Sequence, residues 1–355
     1  MILRGFDTIV FGVNIENYDS VFRKYLDRFK ELKTIAQETG IEQTVYLNDL
    51  ALTVHRTGIR FYQYNLSCND FIISFAEKEL KTNAPITVKF LSSYIWSFGL
   101  KDAFSKFVSW LESVSALITG TKVSRADICA DTDLVIFKEP DIKGVVTLAR
   151  KRQKYFVDSE HAIGRAFSGF TIGKGSPLQA RVYNKSIEIP TSGKAWFKEI
   201  WLANNWSEDK EVWRVEFQIL RNVLKEFGIN TVEDLLKAES RLWSYLTQQW
   251  LTIRQPSPDK VYRWKLKKKW QTIQEAGNDY NTTPLVREKV LQGSIQSLLD
   301  QGAGILLSVA AIGNHESLDD TLRVFKSWAE IALNKKNTSF HSEKERRQKK
   351  YLLTE

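Results

Sequence analysis

The sequence predicts an α+β fold, a central antiparallel sheet with covering helices, followed by a mostly helical basic C-terminal region. Three observations carry that prediction. Stretches that alternate apolar and polar residues with a period of two recur as far as Leu220. Two long stretches with a helical period interrupt them, so strands and helices are grouped rather than strictly alternating. From Asn222 onward the pattern turns mostly helical, with basic residues clustered in it.

Residues 5–15 read as a strand in which Asp7 is a carboxylate within the otherwise apolar FDTIVFG, where it needs a partner: a metal, an arginine or a turn. Residues 18–38 carry Tyr18, Phe22, Tyr25, Leu26, Phe29 and Leu32 at helical spacing, and Gly40 supplies the stop. Strands follow at 43–47, 59–66, 70–76 and 86–91. A second amphipathic helix, 101–117, presents Phe104, Phe107, Val108 and Leu111 on one face, and a further strand opens near 122. A helix at 141–150 comes next, then a hairpin-like stretch, 154–188, containing Gly164, Gly169, Gly173 and Gly175, and then a strand at 212–220.

The segment RQPSPDKVYRWKLKKKW, 254–270, holds two prolines and seven basic residues against one acid, and reads as a linker running into a basic helix. It divides the chain into a first domain, 1–253, and a helical basic region, 254–355. Within the latter, 285–301 and 318–334 read as helices, AGILLSVAAIG (303–313) as buried, and EKERRQKKYLLTE as a charged, frayed tail. That apolar run is about half the ~20 residues a bilayer span requires, so no membrane association is expected. No internal repeat is visible.

The balance of 51 basic against 42 acidic residues, a net charge of +9, favours a polyanionic partner, with nucleic acid foremost. Eleven Trp and twelve Tyr can either stack on bases or fill cores. Cys68 and Cys129 offer neither a disulfide framework nor a metal-ligand spacing, which fits a reducing compartment. The first residues, MILRGFDTIVFGVNI, lack the layout of a signal peptide, so a cytoplasmic protein is expected. His55, His161, His315 and His341 are scattered, which disfavours a histidine-paired metal nuclease.

Candidate chemistry sits on three alternating segments, SRADICADT (124–132), ARVYNKSIE (180–188) and VWRVEFQIL (212–220). In a strand, residues two apart share a face, so Arg125, Asp127, Cys129 and Asp131 point one way and Ala126, Ile128 and Ala130 the other. Arg181, Tyr183 and Lys185 share a face, as do Arg214, Glu216 and Gln218. If the three strands adjoin in one sheet, carboxylates, cations and a phenol converge, and these are the groups that cutting a phosphodiester requires. A phenol ionises near pH 10 and attacks phosphorus only if a base takes its proton or cations hold the phenolate. Arg181 and Lys185 suit the second role. Spacing alone equally fits a tyrosine on a solvated strand among ordinary surface cations.

Asp127 and Asp131 are about 13 Å apart along an extended strand, too far to share one ion without a bend. One of them together with Glu216 suits Mg2+ or Mn2+; the alternative is an ionic network of Asp127 with Arg125 or Arg214. Gly173, Lys174, Gly175 and Ser176 form a small glycine-rich turn that reads as a hairpin turn before it reads as a phosphate loop.

At these residues the chain resembles the replication initiation factor family, the rolling-circle initiators of certain plasmids and the related relaxases of some integrative conjugative elements. The resemblance lies in three motifs and their order. They are Arg125, Ala126, Asp127 and Asp131; then Gly173, Lys174, Ser176, Arg181, Val182, Tyr183, Asn184, Lys185 and Glu188; then Trp213, Arg214, Val215 and Glu216. The opening FDTIVFG also resembles that family's first strand.

Over residues 5–225 the resemblance implies sequence-specific nicking and rejoining of DNA, in which Tyr183 holds the 5′ phosphate and frees a 3′ hydroxyl. It implies Asp127, Asp131 and Glu216 as ligands of Mg2+ or Mn2+, and Arg181, Lys185 and Arg214 as phosphate contacts. Ala126 and Lys174 depart from the family's larger apolar residue and arginine, and nothing after residue 255 matches. Initiation of rolling-circle replication or transfer of a plasmid or other mobile element would follow, on single-stranded or extruded origin DNA. A homodimer is also implied, while a recruited host helicase is left open. Backbone phosphates would lie on the basic segments 150–154 and 254–269, together with Lys174. Their candidate contacts are Lys151, Arg152, Arg263, Lys265, Lys267, Lys268 and Lys269. The competing expectation is a non-catalytic protein that only grips an origin or operator.

Overall fold

A computed structural model describes residues 1–115, 117–158, 165–276, 285, 295–335 and 337–348. His161, Gly164, residues 286–294 of the expected 285–301 helix and the end of the tail lie outside the described residues. The chain forms two compact units, Met1–Val286 and Arg287–Glu355.

In the first unit the long strand β1 (Ile2–Ile15) leads into helix α1 (Tyr18–Thr39). Tyr18, Phe22, Leu26, Phe29, Leu32 and Ala36 recur every three or four residues, so one stripe of α1 is buried, and each large apolar side chain contributes about 1.5–3 kcal/mol. Gly40, at φ 75°, ends α1 in the left-handed conformation, its N–H reaching the Ala36 carbonyl at 3.1 Å. Strands β2 (Gln43–Leu47), β3 (Leu50–Val54), β4 (Tyr64–Ser67), β5 (Phe71–Phe75) and β6 (Ile86–Phe90) follow. Helix α2 (Ser92–Ser115) bends at Gly99, which has φ 75° and ψ 151°, so its second part starts where the sequence places a helix.

The long strand β7 (Ile118–Thr132) begins a second series. A 3-10 turn (Glu139–Gly144) and the short strand β8 (Val145–Thr147) come next. Strands β9 (Arg152–Asp158), β10 (Arg165–Ile172) and β11 (Leu178–Asn184) lead to helices α3 (Lys185–Ser192) and α4 (Phe197–Ala203). Strand β12 (Trp213–Leu220) precedes α5 (Arg221–Glu226) and α6 (Val232–Tyr245). A π-helical turn (Leu246–Trp250), strand β13 (Leu251–Ile253) and helix α7 (Lys268–Gln274) complete the unit.

Among the described residues eleven strands make one sheet, in the order β2-β3-β4-β5-β6-β1-β7-β12-β11-β10-β9, and every pairing in it is antiparallel. The sequence-derived α+β class with a central antiparallel sheet is therefore the observed architecture. Two local expectations are corrected. The strand expected at 59–66 is confined to its last residues, and the strand Leu50–Val54 had gone unassigned. The helix expected at 141–150 is instead the 3-10 turn and β8, which pairs with β13; Val145, Val146 and Thr147 are β-branched and favour the extended state.

Residues 254–276 fold onto the first unit. The Arg254 N–H bonds the Gly144 carbonyl at 2.8 Å, and fully buried Trp270 donates to the Thr247 carbonyl at 2.8 Å. Asp141 is gripped by Lys267 and Lys269, each at 2.7 Å. Burial alone would raise the Asp141 carboxyl, but the two ammonium groups outweigh it and hold the group below its ordinary value.

The second unit holds α8 (Ile295–Gly313), α9 (Leu318–Lys335) and α10 (Phe340–Gln348). The run 303–313 is helical as expected but is not buried: Ile305, Leu307 and Ile312 are 54%, 67% and 89% exposed. A helix paired with one neighbour shields only the stripe between the two. No helix among the described residues is long and apolar enough to cross a membrane.

Candidate active site on the sheet face

Register brings the three motif segments side by side as β7, β12 and β11. Arg214 lies between Asp131 and Tyr183; Glu216 lies between Cys129 and Arg181; Gln218 lies between Asp127 and Gln179. On the far side of β11, β10 places Gly169 opposite Tyr183 and Thr171 opposite Arg181. On the far side of β7, β1 sets Thr8 opposite Asp127, with Asp7 in the irregularity between Phe6 and Thr8. Opposed residues share a face, so these groups form one polar surface. The alternate residues Ala126, Ile128, Ala130, Val182, Val215 and Phe217 are fully buried on the opposite face.

Arg214 is the foundation of this surface. It is completely buried, with Nε and Nη2 donating to the two Asp131 oxygens at 2.5 and 2.8 Å and Nη1 donating to Asp7 Oδ1 at 2.6 Å. Its guanidinium lies 4.4 Å from the Phe197 ring centroid and 5.8 Å from that of Trp96. Burial would lower the Arg214 pKa, but the Asp131 charge above all reverses this and keeps it well above its ordinary value. Burial likewise would raise Asp7, yet Arg214 and then Lys194 hold it below the usual carboxylate range. Asp131 also accepts from Trp201 Nε1 at 3.0 Å. Asp131 and Arg214, expected as metal ligand and phosphate contact, therefore satisfy one another in the interior.

Tyr183 donates from its hydroxyl to Glu216 Oε2 at 3.1 Å. Burial and then the Glu216 charge push the phenol well above its ordinary pKa. Glu216 is itself raised, first by burial, which outweighs the Arg181 cation, and further by the charges of Asp7 and Asp127. Arg181 Nη2 stands 3.5 Å from Glu216 Oε1 and donates to Gln218 Oε1 at 2.9 Å, with about a third of its side chain exposed. Lys185 is not a strand residue: it opens α3, is buried, pairs with Glu188, and holds Nζ 5.7 Å from the Tyr183 ring centroid. Burial and then Arg214 lower its pKa.

Asp127 receives Arg125 through both oxygens, at 2.8 and 2.5 Å. Burial nevertheless raises its carboxyl against the Arg125 pairing, and the Asp7 charge adds to the rise. Two residues absent from the expected site, Lys194 and Trp201, and one expected only as part of a hairpin, Gly169, also shape it. Lys194 lies 3.8 Å from Asp7 Oδ2, Trp201 fixes Asp131, and Gly169 gives Tyr183 room. A Cβ at Gly169 would meet the Val182 carbonyl oxygen at 2.4 Å and Tyr183 Cα at 2.8 Å. The glycine was visible in the sequence, but its neighbour across the strand pair was not.

Among the described residues no group of three His, Cys, Asp or Glu is arranged to hold a metal. Asp131 does not fit, since Arg214 and Trp201 engage both its oxygens. Asp127 and Glu216 are hard carboxylates with suitable donor chemistry, but Arg125 engages both oxygens of Asp127, and Tyr183 and Arg181 engage those of Glu216. An ion would have to displace Arg125, which is 31% exposed, to reach Asp127.

The expected phosphate contacts fall in two places. Lys174 caps the β10–β11 turn between Gly173 and Gly175, at φ 74° and 77°, and donates to Gln153 Oε1 at 2.7 Å. Lys151 is exposed beside it, its carbonyl accepting from the Gly173 N–H at 2.7 Å, and exposed Arg152 donates to the Val145 carbonyl at 3.2 Å. Arg263, Lys265 and Lys268 are exposed on the 254–276 segment, whereas Lys267 and Lys269 are committed to Asp141.

No family model matches this chain, and no curated protein matches it. Among solved structures, it is similar to a rolling-circle replication initiator protein from Geobacillus stearothermophilus, with 13% identity over 81% of this chain and 100% of the other, at a TM-score of 0.49. A likeness that distant carries no weight for the chemistry, which rests on the site itself.

Proposed function

We propose that the chain is a DNA nicking and joining enzyme that uses Tyr183 as its nucleophile, of the kind that starts rolling-circle replication or transfer of a mobile element. The observation that carries this reading is the 3.1 Å hydrogen bond from Tyr183 to Glu216, on a polar face that also presents Arg181 and Asp127, with Lys185 beside the Tyr183 ring at the start of α3. The three sequence motifs and the net charge of +9 support it.

In this reading Glu216 accepts the Tyr183 proton as Oη attacks phosphorus. The new O–P bond forms as the P–O3′ bond breaks, and the departing 3′ oxygen takes up a proton to become the free hydroxyl. Raising the Glu216 carboxyl above its ordinary value makes it a better base than an exposed glutamate, which matters because the phenol is also raised. Arg181 lies where it can hold a phosphoryl oxygen, and buried Lys185 sets an ammonium beside the phenol ring to favour the phenolate. The tyrosyl ester conserves the energy of the broken bond, so the 3′ hydroxyl reseals the strand without ATP. Asp127 and Glu216 are the residues that would hold Mg2+ or Mn2+, which when bound polarises the phosphoryl oxygen and offsets its developing charge.

The test is denaturing electrophoresis of labelled supercoiled and single-stranded origin-containing DNA after incubation with the protein and Mg2+ or Mn2+. A covalent adduct in the wild type that vanishes in Tyr183→Phe and with chelator is the expected result. An equal adduct in Tyr183→Phe moves the nucleophile, with Tyr155 the first alternative. Intact binding to cognate DNA without any adduct refutes nicking and leaves a non-catalytic origin-binding protein.

A further inference from the structure

The two halves of the sheet mirror one another. In each half a long strand, β1 or β7, lies at the centre, the chain runs out to the sheet edge and works back, and the last strand, β6 or β12, pairs with the long one. Register then carries the polar face of the second half into the first. Arg125 opposes Val10, which opposes Lys89, then Ile72, Ser67, Thr53 and Thr44 in turn. In a parallel row Lys122 opposes Gly12, then Thr87, Ser74 and Asn65, but the middle of this row is covered. Ala84 Cβ stands 2.8 Å from where a Gly12 Cβ would be, Tyr62 bonds Thr87, and Ser74 is buried with its hydroxyl on Asn65. The open groups are therefore those of the first row together with Lys122.

Where the second half sets Arg214 and Glu216 beside its long strand, the first sets Thr87 and Lys89; where the second has Tyr183 and Arg181, the first has Ser74 and Ile72. The first half thus keeps the platform without the nucleophile or the carboxylates. Its opposite face is apolar, with Leu52, Val54, Leu66, Ile73 and Val88 buried beneath α1 and α2. No carboxylate stands on either row, and among the described residues Lys89 and Lys122 have no acidic partner within ion-pair distance. At the sheet edge Glu42 is held by His55 Nδ1 at 2.6 Å, beside an open cleft of about 410 Å3 lined by Gln37, Glu42, His55, Arg56, Thr57 and Asn65.

We infer that the polar face of β1–β6 is a DNA track that carries the duplex flanking the cleaved bond, an inference that rests on the nicking reading above. From β7 to β2 there are six strand steps of about 4.8 Å, or about 29 Å, which matches about eight base pairs at 3.4 Å each. The hydroxyl groups of Ser67, Thr53 and Thr44, one per strand, contact phosphate and sugar, while Lys89 and Lys122 supply the charge nearest the candidate site, Arg125 being paired with Asp127.

The test uses the full chain and two fluorescent probes across a range of NaCl concentrations, namely a duplex of about twenty base pairs and a single strand of about eight nucleotides. Lys89→Glu with Lys122→Glu is expected to weaken duplex binding at least about tenfold and to reduce the salt slope by about two. Binding of the short strand should change less than about twofold, and Lys24→Glu with Lys30→Glu, on the exposed side of α1, should alter neither. Unchanged duplex affinity, an equal loss on both probes, the same loss from the α1 pair, or a wild type that binds the duplex no better than the short strand would each overturn the track. Adduct formation is scored separately: a missing adduct with the duplex-specific loss intact sinks nicking and keeps the track, and the reverse result sinks the track alone.

Discussion

Replacing Arg214 with methionine removes the one cation that joins Asp7 to Asp131. Three charge-assisted hydrogen bonds disappear, at 2.5, 2.6 and 2.8 Å, and at about 1.5–3 kcal/mol each they sum to about 4.5–9 kcal/mol. Burying the guanidinium already costs the native state several kcal/mol, which offsets part of that sum. The net loss is then about 3–5 kcal/mol, the range found when one partner of a buried ionic group is removed and the other charge is stranded. With a urea slope of about 2 kcal/mol per molar, the unfolding midpoint of the full chain should fall by about 1.5–2.5 M. Adding Asp7→Asn and Asp131→Asn to the methionine variant removes the stranded charges and should recover at least about 2 kcal/mol. A methionine variant within about 1 kcal/mol of wild type, or no recovery in the triple variant, would refute the view that this network underlies the site.

Glu216→Gln should lower the adduct rate about 10²- to 10⁴-fold and erase the acid limb of its pH profile, which in the wild type should lie above pH 4.5 because the Glu216 carboxyl is raised; a variant that keeps that limb would exclude the base role. Since a raised carboxyl makes ionisation costlier in the folded state, the same variant should be at least as stable as wild type at neutral pH, as read by urea unfolding. Gly169→Ala should cost about 1–3 kcal/mol and abolish the adduct, because the new methyl group displaces Tyr183; full activity would show that Tyr183 has slack. Asp141→Asn should lose about 1–3 kcal/mol at pH 7. The Asp141 carboxyl is depressed in the folded state, so its contribution is complete above the unfolded value near 4 and fades as pH falls below it. A gap between wild type and variant that persists at pH 2 would contradict the Lys267 and Lys269 clamp.

Much of this architecture is local and was legible in the sequence. Alternation with a period of two fixes which side chains of a strand share a face, so Arg125, Asp127, Cys129 and Asp131 separate from Ala126, Ile128 and Ala130 whatever the partners are. The helical stripe of Tyr18, Phe22, Leu26, Phe29 and Leu32, closed by Gly40, was equally readable, because capping and periodicity act within a few residues. What stood beside each strand was not readable, since register is a relation between distant segments. Only tertiary structure sets Arg214 between Asp131 and Asp7, turning a candidate phosphate contact into a buried cation and a candidate metal ligand into its counter-ion. Lys185 moves from strand to helix because Asn184 caps α3, its Oδ1 accepting the Ile187 N–H at 3.3 Å. The mirrored halves of the sheet leave no repeat in the residues, because pairing order constrains where strands turn and which face is apolar but not which apolar or polar side chains occupy them. The basic run at 267–269 looked free for DNA for a related reason: Asp141, which neutralises two of its lysines, lies about 130 residues away in the chain and adjoins them only once the chain is folded.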